Sequence, residues 1–459
     1  MEVFSRGSPD AELLVVSVGP KTHSRVFACN LRARALGIRP GLAAHALMPG
    51  LSARPRDPAA ERRALERLAA WVGQFSPHVS LGAQEVLLEI CGSLGLFGGL
   101  GGIFSRVRSG LQALGYHARL AAAPTPSGAA LLARVSDGQQ VIETHELRHK
   151  LACVPLSVLE LQPTVLEGLR NLGVRTLGDC LALPRGGLAL RFGQGLLDYF
   201  DRLLGILPDP QPLFVPPPHF KGELALPFEA RKTESLLFAA KRLLLELNGF
   251  LVAKGGGTTR LVWRLSHHKH PATRFTIDLV SPNHEVKHLL MLLRHHLERL
   301  RFPAPVLALE LAAQGIVSLA PCNPGLFGEE GGKARDRDQL VELLRARLGE
   351  KAVYGLRAVA EHRPEYTWQP CAPGEALNPP KFEPRPLWLL AEPQPLPATG
   401  DTPGPLTLEA GPERIEGGWW DGHDISRDYY VARDTLGARF WVFRERCGAR
   451  RWFVHGLFG

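Results

Sequence analysis

Read as a succession of apolar and polar positions, the chain changes rhythm several times. Leu13 to Val18 is an apolar run of strand length interrupted only by Ser17, and apolar residues crowd Val86 to Ile90 around Glu89, held between Gln84-Glu85 and the turn signal Gly92-Ser93. Between them, Pro58 to Phe75 has helical spacing and follows Asp57, an N-cap residue with proline at the first helical position. Pro40, Gly41, Pro49 and Gly50 break the preceding segment into short pieces. This alternation predicts an α/β domain over residues 1–145. Residues 150–208 are helical in pattern, and Leu166 to Asp179 predicts two helices joined by Leu172-Gly173-Val174. That pair is either a plain αα-hairpin or a helix-hairpin-helix whose turn offers backbone N–H groups to phosphate. A proline-rich stretch over 209–218 is a stiff linker. Strand 222–226, helix 232–253, strands 258–265 and 273–280, helix 283–301 and strand 305–312 follow, a β-α-β-β-α-β order that makes a split βαβ unit over 219–315. A second linker, 316–335, leads into a region over 336–459. This begins with an amphipathic helix (Asp338 to Leu348), passes through Pro/Gly-rich sequence at 370–405 and closes on strand-like segments rich in Trp and Tyr. The predicted fold class is multidomain, α/β and α+β.

A chain of 459 residues exceeds what one hydrophobic core serves, and with 45% hydrophobic and 22% charged residues it has material for several. The seven cysteines are scattered and odd in number, with no CxxC spacing. This argues against a zinc site or disulfide framework and for a reducing, cytoplasmic setting. No apolar run is long enough to cross a bilayer and no secretory leader is recognisable, so no membrane partner is expected. The formal net charge of +9 points to a polyanion, and its placement is more telling. Residues 219–301 hold 14 Lys and Arg against 7 Asp and Glu, with 8 of the 17 histidines. Arg260, Arg264, Lys269 and Arg274, on or between the central strands there, are the candidate contacts to that polyanion. His267, His268 and His270 invite a metal reading but have no matching carboxylate or Cys, so neither metal nor cofactor is predicted. The basic face of helix 58–75 (Arg62, Arg63, Arg67) reads as solvated.

The segment around Val86 is where catalysis is decided. Two-metal phosphoryl transfer needs several carboxylates converging on hard cations. The strand offers Glu85 and Glu89, on one face by the two-residue period. Residues 13–134 resemble the palm and fingers of Y-family (translesion) DNA polymerases. The likeness lies in the first apolar run, in Arg25-Val26-Phe27-Ala28-Cys29-Asn30-Leu31-Arg32-Ala33-Arg34-Ala35-Leu36-Gly37-Ile38, in the helix before Ser76-Pro77, and in Glu89-Ile90-Cys91-Gly92-Ser93. The resemblance implies a palm with fingers, a helical thumb carrying the helix-hairpin-helix, and a βαββαβ little finger. It puts the family's metal-binding Asp-Glu pair on Gln84 and Glu85, and Gln is neutral. The triphosphate-contacting Tyr and Arg fall on Leu31 and Arg34, and the Lys before the last palm helix falls within Ala129-Ala130. The family's first strand, with a further metal-binding Asp and an aromatic gate, is not found before Leu13. The opening Met1-Glu2-Val3-Phe4 reads as interior family sequence, so a longer native start is open. The expectation is a polymerase fold that is not an enzyme.

Strings near the end, among them Arg427-Asp428-Tyr429-Tyr430-Val431-Ala432-Arg433 and Trp452-Phe453-Val454-His455-Gly456-Leu457-Phe458, resemble a non-catalytic branch of the family from a bacterial SOS mutagenesis cassette. They are foreign to ordinary Y-family polymerases. That resemblance implies a DNA-binding adaptor joining the sliding clamp, a RecA-like protein and an error-prone DnaE-type polymerase at damaged DNA. Asn323-Pro324-Gly325-Leu326-Phe327 resembles a degenerate QLxLF clamp-binding peptide, with Asn323, Leu326 and Phe327 as its contacts, or else is an ordinary loop. Trp419-Trp420, beside two glycines, are the candidate partner-binding residues, because adjacent strand residues face opposite ways. The competing readings are an active translesion polymerase with a longer N-terminus and a plain DNA-binding module.

Overall fold

A computed structural model describes residues 14–19, 23–43, 52–319, 330–375, 385–397 and 402–459. Asn323, Leu326 and Phe327 lie outside them. The chain divides into two compact units, Met1–Gly331 and Gly332–Gly459. Among the described residues no helix is long and apolar enough to cross a membrane.

The first unit opens on β1 (Leu14–Val18), antiparallel to β2 (Arg25–Cys29) and parallel to β3 (Ser52–Pro55), with Val15 and Val26 in its core. Helix α1 (Leu31–Ala35) starts at Asn30, whose side chain accepts from the Ala33 N–H at 3.0 Å. Helix α2 (Pro58–Val72) is capped in the same way by Asp57, which accepts from Ala60 at 2.9 Å. After it come the antiparallel pair β4 (Val79–Leu81) and β5 (Val86–Leu88), then α3 (Leu94–Phe97), α4 (Leu100–Leu114), β6 (Ala121–Ala122), α5 (Pro126–Val135) and β7 (Gln139–Gln140). Strand β6 runs parallel to β7. Trp71, Phe75, Ile103, Val107 and Leu114 form the core beneath. Helices α6 (Thr144–Ala152), α7 (Pro163–Asn171), α8 (Leu177–Leu181), α9 (Arg185–Phe192) and α10 (Gln194–Leu203) then pack around Leu147, Leu169, Leu177 and Phe200.

Next are β8 (Phe220–Ala230), α11 (Thr233–Ala253), β9 (Gly256–His267), β10 (Thr273–Asn283), α12 (Val286–Arg299) and β11 (Val306–Ser318). The sheet order is β10-β9-β11-β8 with every neighbouring pair antiparallel, so β8 and β9 run the same way on either side of β11. That is a split βαβ unit. Alternation sets its faces: Leu261, Trp263, Leu265, Leu309 and Leu311 are buried, while the intervening residues are not.

The stretch 209–218 is more than a spacer. Asp209 accepts from Ser127 N and Oγ at 2.9 and 2.7 Å, Leu213 bridges Ser80 antiparallel on β4, and the Phe214 N–H donates to the Val79 carbonyl at 2.7 Å. Lys254, at the end of α11, donates to the carbonyls of Pro217 and Pro218 at 2.9 and 3.1 Å. Helix α11 itself packs on α2 through Trp71. A Cβ on Gly249 of α11 would stand 2.2 Å from one edge of that indole, and one on Gly110 of α4 2.4 Å from the other. Only glycine admits the ring at both positions.

In the second unit α13 (Glu330–Leu348) begins eight residues ahead of the predicted Asp338. Strand β12 (Gly355–Ala358) pairs with β13 (Trp368–Cys371). A five-stranded antiparallel sheet is ordered β14 (Trp388–Pro395), β18 (Trp452–Leu457), β17 (Arg439–Glu445), β16 (Ile425–Arg433), β15 (Thr407–Gly417). Tyr429 stacks on Trp441 at 4.2 Å among one buried cluster, and Ala432, Val442 and Trp452 form another.

Candidate metal centre and nucleic-acid interface

Gln84 and Glu85 precede β5 rather than lying on it, because the strand is only three residues long. Glu85 Oε2 accepts from Arg134 Nη2 at 3.0 Å, and the same nitrogen lies 2.9 Å from Glu160 Oε1. One guanidinium at the end of α5 thus bridges the carboxylate beside β5 and another ahead of α7. Burial works against the Arg134 charge, but its bond to Glu85 and the fields of Glu85 and Glu160 outweigh that and raise its pKa. Glu89 serves other groups: Oε1 accepts from the Cys91 N–H at 2.7 Å and Oε2 stands 3.9 Å from His78. Glu85 and Glu89, expected on one face of the strand, thus serve different partners, since Glu89 folds back on the turn that ends the strand. Among the described residues no three His, Cys, Asp or Glu side chains are grouped so as to hold a metal ion. Ala129 and Ala130 lie on α5, and Arg34 is exposed on α1.

Gln84 and Glu85 also line a groove of about 700 Å³ floored by Leu68, Val107 and Ala133. Flanking β5, the Glu85 carbonyl and Glu89 N–H bond toward the ends of β4, so by alternation Val86 and Leu88 turn their backbone groups the other way. Along β6 and the residue before it, the Ala122 and Leu120 carbonyls bond toward β7, which turns Ala121 outward as well. Both strands line the groove, and among the described residues none lies between them.

The helical hairpin differs from expectation in its hydrogen bonds. Leu172, Gly173 and Val174 donate their N–H groups to carbonyls of Leu169 and Arg170, closing the end of α7. Asp179 accepts from the N–H groups of Arg175 and Thr176 in a capping box at the start of α8. The turn's amides are spent internally, which removes the phosphate-facing N–H groups that the sequence pattern suggested. Gly173 has φ +78°, the left-handed conformation that a glycine turn supplies.

On the βαββαβ sheet, Arg260, Arg264 and Arg274 alternate with the buried positions and so share the sheet's open face. Cross-strand register sets Arg274 beside Arg264, and Arg264 beside Glu310. Two of these cations are partnered: Arg260 with Asp278 at 2.5 Å, and Arg264 with Glu310. Lys269 sits in the β9–β10 turn at φ +55°. His267 is buried and shares hydrogen bonds with Thr273 Oγ1 at 2.8 Å and the Pro305 carbonyl at 3.2 Å, while His268 and His270 are exposed. Trp419 and Trp420 are 79% and 57% exposed in the turn between β15 and β16. Arg134, Glu160 and the Arg363 on which that turn is built escaped the sequence reading, because none of them carries a local signal.

Comparison with known proteins gives three findings. Residues 9–134 match the impB/mucB/samB family. Protein ImuB from two strains of Caulobacter vibrioides, NA1000 / CB15N and ATCC 19089 / CB 15, is 29% identical over 466 residues, covering 92% of this chain and all of theirs. Solved structures include DinB from Sulfolobus solfataricus (TM-score 0.38, 18% identity, 69% of this chain and 95% of that one) and an insertion ternary complex of Dbh DNA polymerase (TM-score 0.39, 16% identity, the same coverage).

Proposed function

We propose that this homologue of ImuB, built on a Y-family polymerase domain and related through it to SOS mutagenesis, is a catalytically inactive DNA-binding adaptor in error-prone translesion synthesis. The observation that carries the reading is Arg134 held between Glu85 and Glu160. A polymerase palm needs its carboxylates for divalent cations. Here the one acidic residue of the expected pair is neutralised by a guanidinium of the same chain, and its neighbour is Gln84. Primer extension with Mg²⁺ or Mn²⁺ should give no incorporation. Template-dependent extension that is lost in Glu85→Ala would overturn inactivity and favour the translesion enzyme.

The open face of the βαββαβ sheet is the proposed duplex surface, with Arg274 and Lys269 as its freer cations and Arg260 and Arg264 acting through the ion pairs that orient them. Counterion release makes such binding steeply salt-dependent and indifferent to sequence. Charge reversal at Arg260, Lys269 and Arg274 together should weaken binding to every duplex alike, and unchanged binding would discard the surface. The peptide Asn323, Leu326 and Phe327 is the proposed contact with the sliding clamp, tested by clamp capture with Leu326→Ala and Phe327→Ala. Trp419 and Trp420 belong to the proposed platform for the RecA-like ImuA and the DnaE-type polymerase. A plain DNA-binding module would not need two indoles held in water.

A further inference from the structure

The turn between β15 and β16 departs from what burial alone would select. Trp419 and Trp420 lie edge to face at 5.5 Å, and both face solvent. What holds them out is Arg363, whose side chain is 4% exposed. Its guanidinium donates to both oxygens of Asp421 at 2.9 and 2.7 Å, to Glu361 at 2.9 Å and to the His423 carbonyl at 3.3 Å. It also lies 4.5 Å from the Tyr366 ring and 5.3 Å from the Trp420 ring. Gly418 makes the turn possible. Its φ is +92°, and a Cβ there would stand 2.1 Å from the His423 oxygen and 2.7 Å from Arg363 Nη1. The Arg363 bond, with the His423 N–H, holds the Asp421 carboxyl down at about 2, so it is charged at neutral pH. The indoles are displayed on a frame that is already folded.

The charge on this frame has one sign to spare. A single guanidinium serves Asp421 and Glu361, Asp424 is exposed on the same turn, and no Lys or Arg lies between Ile415 and Ser426. The nearest cations on β16 and just past β17 are committed, Arg427 to Glu365 and Arg446 to Glu416. An acidic rim around exposed indoles repels phosphate and attracts cations, whose guanidinium or ammonium groups bind over a Trp face. Arg363 already lies over the Trp420 ring in this way from within the chain. We infer that residues 418–424 bind a basic segment of a partner protein, seating an Arg or Lys side chain on Trp419 and Trp420 with Asp424 as its counter-charge. The inference rests on the reading of the second unit as a partner platform and adds the chemistry of what docks there.

The test titrates the full chain with fluorescein-labelled hexa-arginine, hexa-glutamate and a fifteen-nucleotide oligothymidine at low salt. A protein of net charge +9 should not attract hexa-arginine without a local acidic site. Hexa-arginine should bind, and its affinity should fall at least tenfold in the Trp419→Ala, Trp420→Ala double variant and in Asp424→Lys, with circular dichroism unchanged. Equal affinity in those variants overturns the inference. Selective loss of oligothymidine binding in the double variant also overturns it, in favour of a single-strand site. Capture of the cassette proteins separates the two readings. If the double variant loses them while Asp424→Lys keeps them and hexa-arginine binding is unmoved, the platform stands and the basic-segment inference falls. If the double variant keeps them, the platform reading fails whatever the peptide does.

Discussion

Arg134 holds two carboxylates at once, those of Glu85 and Glu160, and in the proposed reading it stands where a polymerase would place a metal ion. Replacing it with Met leaves Glu85 and Glu160 facing each other without a cation. The three groups are partly exposed, so we expect a loss of only about 1 kcal/mol in urea unfolding. Adding Glu85→Gln should recover part of it, with a coupling of at least about 0.5 kcal/mol in the double-mutant cycle. Strict additivity would show the pair to be idle. His455 gives a second residue-level prediction. It is buried, shares a 2.8 Å hydrogen bond with Tyr429 and lies 3.7 Å from Glu365. Burial pushes its pKa down to about 4, with Glu365 opposing and Arg427 assisting. Its folded value is below the ordinary imidazole value, so the unfolded chain takes up the proton more readily. Stability should be full above about pH 6.5 and decline toward pH 4, by on the order of 3 kcal/mol. Six of the eight tryptophans lie beyond residue 332, so tryptophan emission during denaturation reports the second unit, and a midpoint flat down to pH 4.5 would refute the assignment.

Among elements, α11 shows what sequence pattern can and cannot convey. Its length, its order after β8 and the five elements that complete the βαββαβ unit were legible, because each buries one face and the period of two or 3.6 writes that face into the chain. Its docking on α2 was not legible. Gly249 and Trp71 are far apart in sequence, and a glycine within a helix reads only as a weak point until the ring that fills its place is known. The same holds for Arg134 and Glu85, 49 residues apart, and for the proline stretch, whose Leu213 and Phe214 look like linker until β4 offers them an edge. The hairpin failed in the opposite direction: Leu172-Gly173-Val174 has the right spacing, but spacing does not say which carbonyls its amides have already taken. Gly249→Val should force Trp71 and α11 apart, costing more than about 2 kcal/mol as an overpacked contact. Limited proteolysis within 208–218 should accelerate with it, and an unchanged digest would mean that the wedge does not hold the helix.

For the whole molecule, the division at Gly331 separates the proposed DNA surface from the proposed partner platform. Ending the chain there should leave duplex affinity within about twofold, since the cations proposed to contact phosphate all precede it. Capture of the cassette proteins should be lost. Retention of both partners would relocate the platform to the first unit. Within that unit, the strap formed by Asp209, Leu213 and Phe214 lies along the α/β domain, and the indole wedged between Gly110 and Gly249 ties α11 of the βαββαβ unit to it. A sheet fixed in this way is a caliper: a duplex lying on it meets the rest of the unit at one set span. Nuclease protection beside a primer end should then stop at a sharp boundary rather than fade over several base pairs.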